Sequence, residues 1–248
     1  MTHFGDDSFK EKVEEKKKWH EEEVLNTQAY KQASKYMKDL IDDIRKGLFL
    51  VSLVSSRDYE TFKDSALIFG TSDLIGSVTA IDIVTSEIVL NAVKRELRYM
   101  LEATIKYAAV DQLCKGKTLE EKLDYFYQEI PRSSIAPIDE LNGLTESMVK
   151  DTKELYSKLS QFTHPSKIQI TEYQIQFKKG TLGYQTHKEI DSFNRLLFRT
   201  CDILLYIILR NIGYYERKDF FDCIEGVKNW RYFKGKYVKT LLPKKFGT

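Results

Sequence analysis

The chain has 248 residues, 42% of them hydrophobic and 31% charged, which suits one soluble domain of generous size, or one domain with extensions, around a real core. Its net charge of +2 is too small to mark a nucleic-acid binder, so only the placement of the cations can carry that reading. Three widely spaced cysteines, Cys114, Cys201 and Cys223, make no C-x-x-C pair and no zinc spacing, a pattern that excludes a cysteine-built metal site and fits reduced thiols in a cytoplasmic protein.

Four prolines and twelve glycines leave long uninterrupted stretches, and the predicted fold is an all-α multi-helix bundle of about six to eight helices. We divide it into a charged N-terminal helix (1–46), a helical domain (47–227) and a basic aromatic tail (228–248). Residues 1–18 are charged and lack an apolar signal region, and the longest apolar run, Ile203–Leu209, is about a third of the ~20 residues a bilayer span needs. No membrane association is expected.

Residues 7–45 contain neither proline nor glycine and predict a long helix. Its first half mixes Lys and Glu, as solvated helices with i,i+4 pairs do, while Leu25, Ala29, Ala33, Tyr36, Leu40 and Ile44 form an apolar stripe. The segment packs on its own domain or on a second protomer, and with so little to bury in its charged half a homodimer through helices is the partner expected. Gly47 and Ser55-Ser56 signal a break at 46–57, with Leu48–Val54 readable as strand or buried helix. A short helix over 58–69 and a turn at Gly70-Thr71-Ser72-Asp73 follow.

Residues 74–114 predict the main helical stretch, jointed near Thr85-Ser86. In its second half Val89, Val93, Leu97, Met100, Thr104 and Ala108 share one side, and Arg95, Arg98 and Glu102 cluster away from it. That cluster is either a solvated face or a phosphate-binding patch that closes a site. Thr118-Leu119-Glu120-Glu121 opens another helix with a capping box, and 131–137 is a loop.

A further amphipathic helix starts near Thr145, with Leu144, Met148, Leu155, Leu159 and Phe162 on one side. Pro165 disfavours helix at the residue before it, so the helix should end near Thr163 with His164 at its C-terminus. There His164 can cap carbonyls or act as general acid or base. Ser160 lies one turn before it, but no orienting carboxylate stands at a recognisable distance for a nucleophile. Residues 168–184 have a β-branched, partly alternating texture with a turn at Lys178-Lys179-Gly180, which predicts a small β-hairpin or extended loop. From Thr186 a long helix faces the core with Ile190, Phe193, Leu197, Leu204 and Ile208.

Tyr156-Ser157-Lys158-Leu159-Ser160-Gln161-Phe162-Thr163-His164-Pro165-Ser166 resembles the Y-x-x-L-S-x-x-x-H-x-S helix end of HEPN-like proteins. HEPN denotes higher eukaryote and prokaryote nucleotide-binding, a superfamily that includes abortive-infection and toxin components. An associated helical family has an R-x-x-L-E helix upstream, where this chain has Arg98-Tyr99-Met100-Leu101-Glu102, and an amphipathic helix downstream. The resemblance covers roughly residues 75–212. Ribonuclease members carry an arginine, four to six residues, then the histidine; Lys158 occupies that place here, and no arginine lies between Asp139 and His164. Lysine brings charge without the planar bidentate fork.

The tail combines Lys228, Arg231, Lys234 and Lys236 with Trp230, Tyr232, Phe233 and Tyr237, and no acid follows Glu225. Cations for phosphates interleaved with rings for bases are what single-stranded nucleic-acid binding uses. The other reading packs those rings on the domain. No P-loop, Rossmann, HExxH or G-x-S-x-G motif is present, so no cofactor and no metal are expected.

The resemblance implies a HEPN-like module in phage defence or a stress response that binds RNA or a protein partner. The alternative is a metal-independent endoribonuclease with His164 as general acid or base at the 2′-hydroxyl. Lys158, or Arg95 and Arg98, would then stabilise the phosphate. That chemistry needs Lys158, His164 and one of the arginines around one concave site.

Overall fold

A computed structural model describes residues 7–86, 90–132, 134–163, 166–178, 185–225 and 229–242. The N-terminal helix α1 (Asp7–Trp19) buries no side chain, in keeping with its alternating Lys and Glu. One π-helical turn leads to Thr27, whose hydroxyl accepts the Tyr30 amide (3.3 Å) and caps α2 (Gln28–Arg57). The break expected at 46–57 is absent, and the boundary expected at 46/47 falls inside α2. Gly47 marks a close approach instead: a Cβ there would stand 3.2 Å from Leu205 Cδ2 and 3.4 Å from the Trp230 ring. Leu48, Val51 and Val54 beyond it are buried helix, not strand.

After the single-turn α3 (Tyr59–Phe62), α4 (Ala66–Ser86) starts earlier than the predicted turn at residues 70–73 allows. Asp111 is the cause. Its carboxylate accepts the Ala66 and Leu67 amides (2.9 and 3.0 Å) and the Ser65 hydroxyl (2.7 Å), supplying a cap from another helix. Gly70 then lies within α4 against the Tyr107 ring, where a Cβ would meet ring carbon at 2.5 Å. Residues 66–85 are long and apolar enough to cross a membrane, with mean hydropathy 1.5 and 39% of the window buried. Here this helix packs against α2 and α5 (Leu90–Leu113).

The core lies between α2, α4, α5 and α9 (His187–Asn211), and buries Leu40, Leu48, Leu74, Leu97, Met100, Leu204 and Ile208 completely. Between α5 and α9 in the chain come α6 (Leu119–Glu129), α7 (Glu146–Ser160) and α8 (Lys167–Lys178). The predicted capping box of α6 is formed: Thr118 accepts the Glu121 amide and Glu121 accepts the Thr118 amide. Thr145 caps α7, which ends at Ser160, and residues 161–163 form a turn. A helix replaces the first limb of the predicted hairpin. Local β texture gave way where Ser166 accepts the Gln169 amide and opens α8 (3.2 Å); residues 179–184 lie outside the described residues.

Beyond α10 (Tyr214–Glu225), residues 229–242 fold back as short 3₁₀ turns onto the α2–α9 face. This corrects the exposed tail with rings open to bases. Trp230 and Tyr232 are fully buried, Trp230 donates Nε1–H to the Asp43 carbonyl (2.8 Å), and Tyr232 stacks on Phe198 at 5.3 Å. Arg231 pairs with Asp39 and Asp43 (2.5 and 3.0 Å), and Lys236 with Asp151 (2.7 Å). Two backbone amides, of Tyr237 and Val238, donate to the buried Asp202 carboxylate (2.9 Å each). Fourteen residues after a glycine thus supply part of the core. Lys234 is exposed, and Lys228 lies outside the described residues.

Candidate functional site

The end of α7 is held by two arginines of α5. Arg95 Nε donates to the Phe162 carbonyl (2.6 Å), one of the carbonyls a helix end leaves without an intrahelical partner. Arg98 Nε donates to Ser160 Oγ (3.0 Å) and its Nη2 to Tyr156 Oη (2.6 Å). Tyr156 and Ser160 belong to the stretch that carries the HEPN resemblance, and both are spaced one helical turn apart to meet one guanidinium.

Behind Arg98 the network continues inward. Glu102 pairs with Arg98 (3.2 Å) and Lys106 (2.5 Å) and accepts from Tyr156 Oη (3.0 Å). These side chains are 19%, 12% and 6% exposed for Arg98, Glu102 and Lys106, so of the cluster projected from the helical wheel Arg98 and Glu102 are covered and Arg95 alone is exposed. The wheel locates a face relative to its own helix and does not say that α7 packs on it. Burial, strengthened by the adjacent Glu102 charge, raises the Tyr156 hydroxyl pKa, which keeps it a donor.

On the other side of Phe162 opens a cleft of about 550 Å³ between α5, α7, α8 and α9. Lys94, Lys158, Arg195 and Arg199 bring four cations to it, against the carboxylates of Glu172 and Glu189. Lys158, Arg195 and Arg199 are exposed and form no ion pair among the described residues. Glu189 is partly committed: it accepts the Thr186 amide (2.7 Å) and the Gln176 amide group (3.1 Å). The Lys94 ammonium sits 3.8 Å from the Phe162 ring centre, and burial lowers its pKa despite Glu172 and Glu189.

Lys158 lines the cleft together with Gln161 and Phe162, whereas Arg95 and Arg98, which hold Phe162 and Ser160, are not among the residues that line it. Arg95 is exposed, and its terminal nitrogens have no bond among the described residues, whereas Arg98 and Glu102 are tied into the network. His164 lies outside the described residues; Phe162, which lines the cleft, precedes it by two positions. Sequence reasoning missed Lys94, Arg195 and Arg199. The i,i+4 pair Arg195–Arg199, off the α9 core stripe, was visible as a cationic face, but nothing in the sequence joined it to Lys158.

No family model, no curated protein and no solved structure matches this chain.

Proposed function

We propose that this chain is a HEPN-like helical module of phage defence or a stress response that binds RNA, with the cleft between α5, α7, α8 and α9 as its phosphate-binding surface. The observation that carries the reading is the convergence of Lys158, from the HEPN-like stretch, with Arg195 and Arg199 of α9 on one open concave face. Exposed, unpaired cations at a concave surface offer phosphates favourable charge without the cost of breaking internal ion pairs. The net charge of +2 does not oppose this: Arg231 and Lys236 of the tail are held in ion pairs, whereas Lys158, Arg195 and Arg199 form none among the described residues.

The test is the affinity for single-stranded RNA at several salt concentrations, for the wild type and a Lys158→Ala, Arg195→Ala, Arg199→Ala variant. Three lost phosphate contacts predict a binding loss of about tenfold or more and a salt dependence shallower by roughly two in log–log slope. Equal affinity and slope would overturn the reading and leave a protein partner as the ligand class to pursue.

A second reading, a metal-independent endoribonuclease, is favoured by the placement of Arg95. Its terminal guanidinium nitrogens, which have no bond among the described residues, belong to the side chain that holds the carbonyl of Phe162, in the turn that leads to His164. Arg95 would then replace the arginine missing from the HEPN-like stretch as the group that stabilises phosphate charge, with His164 as general acid or base. Cleavage of end-labelled RNA in EDTA, lost in His164→Ala and reduced in Arg95→Ala, is the expected result. Cleavage that persists in His164→Ala would exclude it.

A further inference from the structure

Helix α4 is apolar on every side, as a buried helix is, yet much of it is open to solvent. Over residues 66–85 its mean hydropathy is 1.5 and only 39% of the window is covered. The longest apolar run of α9, Ile203–Leu209, is by contrast buried throughout. The open side of α4 carries Phe69, Ser72, Gly76, Thr79, Ala80 and Ile83, which fall within an arc of roughly 100°. Gly76 stands at its middle. A glycine inside a helix costs stability, and Gly47 and Gly70 are each accounted for by a ring packed against them. A Cβ on Gly76 would meet nothing within 4 Å, so no contact inside the chain uses the close approach that this glycine permits.

The face is also complementary to itself. Phe69 and Ile83 lie equally far from Gly76 along the helix, as do Ser72 and Ala80. An antiparallel crossing of two copies at Gly76 sets Phe69 of each against Ile83 of the other, and Ser72 against Ala80, with large side chains at the ends and small ones at the centre. Small side chains at the crossing let the two axes approach to about 8 Å. On α2, Phe49 and Leu53 widen the patch: Ser52 reaches Thr71 (3.1 Å) and Arg45 reaches Asp82 (2.5 Å), which sets Phe49 level with the middle of α4. Phe49, Leu53, Phe69 and Ile83 are 47 to 64% exposed, about 100 Å² each, and with the small residues the face offers roughly 600 Å² per protomer. Doubled, ~1,200 Å² is the lower bound of a stable specific interface. Covering it strands no charge, because the acids of α4 are Asp82, paired with Arg45, and Asp73, which accepts the Tyr99 hydroxyl. The Thr79 hydroxyl donates to the Ile75 carbonyl (2.9 Å).

We propose that α4, flanked by α2, is the contact face of a two-fold homodimer in which a second copy of this chain crosses it antiparallel at Gly76. The contact is made by α4 rather than by the charged N-terminal helix, and it does not rest on the RNA reading above.

The experiment is sedimentation velocity of the full chain over a range of concentrations, for the wild type and Gly76→Leu. The wild type is expected to dimerise, and Gly76→Leu to weaken the dimer at least about tenfold by filling the crossing point. A side chain at position 76 starts into open space within the protomer, so far-UV circular dichroism of the variant should match the wild type. The register is read with a short bis-maleimide on chains in a Cys223→Ser background, where Cys114 and Cys201 are buried. A mixture of Ser72→Cys and Ala80→Cys chains should cross-link far faster than either chain alone. A monomer at every concentration, or a dimer that Gly76→Leu leaves as tight, overturns the proposal. Cross-linking as fast in Ser72→Cys alone as in the mixture overturns the antiparallel crossing. A monomeric wild type that floats with phosphatidylcholine vesicles would assign the face to lipid and overturn the proposal as well.

Discussion

Two regions of this molecule have the same side-chain chemistry and opposite fates. The segment 229–242 and the cleft around α7 both bring together lysines, arginines and aromatic rings. In the segment every ring that reads as a base platform is taken: Trp230 meets Phe220 and Phe233 edge-on at 5.8 and 5.1 Å, and Tyr232 lies flat on Phe198. Its arginine is held by Asp39 and Asp43 of α2. In the cleft, Lys158, Arg195 and Arg199 face solvent with no ion pair among the described residues. The difference teaches that a cation–aromatic texture is a statement about composition, and that the location of the acids decides its use. Asp39 and Asp43 hold Arg231, and Asp151 holds Lys236, from 85 to 192 positions away.

The sharpest way to break this comparison is Trp230→Ala. If the segment is core, the substitution costs about 3–5 kcal/mol of stability by denaturant unfolding, as other large aromatic deletions do, and leaves RNA affinity per folded molecule unchanged. A loss of RNA binding with unaltered stability would restore the tail as the binding surface. Next in size is Glu102→Gln, which leaves Arg98 and Lys106 covered without their carboxylate. It should cost about 3 kcal/mol, within the range for breaking a largely buried ion pair from one side, and the measured unfolding midpoint should fall accordingly.

Smaller effects separate the two sets of cations. Lys236 is largely exposed, so Lys236→Ala should leave both stability and RNA affinity essentially unchanged. Arg199→Ala should leave stability equally untouched yet weaken RNA binding several-fold, which filter binding at low salt would resolve.

The smallest prediction concerns pH. Burial lowers the Lys94 pKa, so on raising pH this lysine loses its charge before an ordinary surface lysine does. RNA affinity should therefore begin to fall below the usual lysine range in the wild type and hold to higher pH in Lys94→Arg. In the tail the sign is reversed. Hydrogen bonds from Lys236 and Tyr237 depress the Asp151 pKa, so its contribution to stability is present above the ordinary carboxylate value and is lost as pH falls through the depressed one. Asp151→Asn should flatten that part of an acid-unfolding profile.

Much of the fold was legible in the sequence. Apart from Leu144, which is partly buried, and Val89, which lies outside the described residues, the stripes of α5, α7 and α9 named buried residues, because a 3.6-residue period has one meaning once a helix packs on anything. The capping box at Thr118 was equally local, since both partners lie within three residues. Glycines were less readable. Gly47 and Gly70 looked like breaks and are close approaches of Trp230 and Tyr107 to helices that continue through them. The helical fate of residues 167–178 was also hidden behind β-branched texture, a weak preference that context overrides.

Of the site, the sequence by itself determined that Tyr156, Lys158 and Ser160 share the last turns of one helix and that Arg95 and Arg98 share a face of another. Only the tertiary structure decided that these faces meet, that Arg98 is spent on Tyr156, Ser160 and Glu102, and that Arg195 and Arg199 come beside Lys158. The reason is the range of the interactions. Caps and periodicity act over one turn and leave a local mark, whereas a carboxylate that neutralises a cation, or a helix that covers a face, is chosen by packing across the whole chain and leaves none.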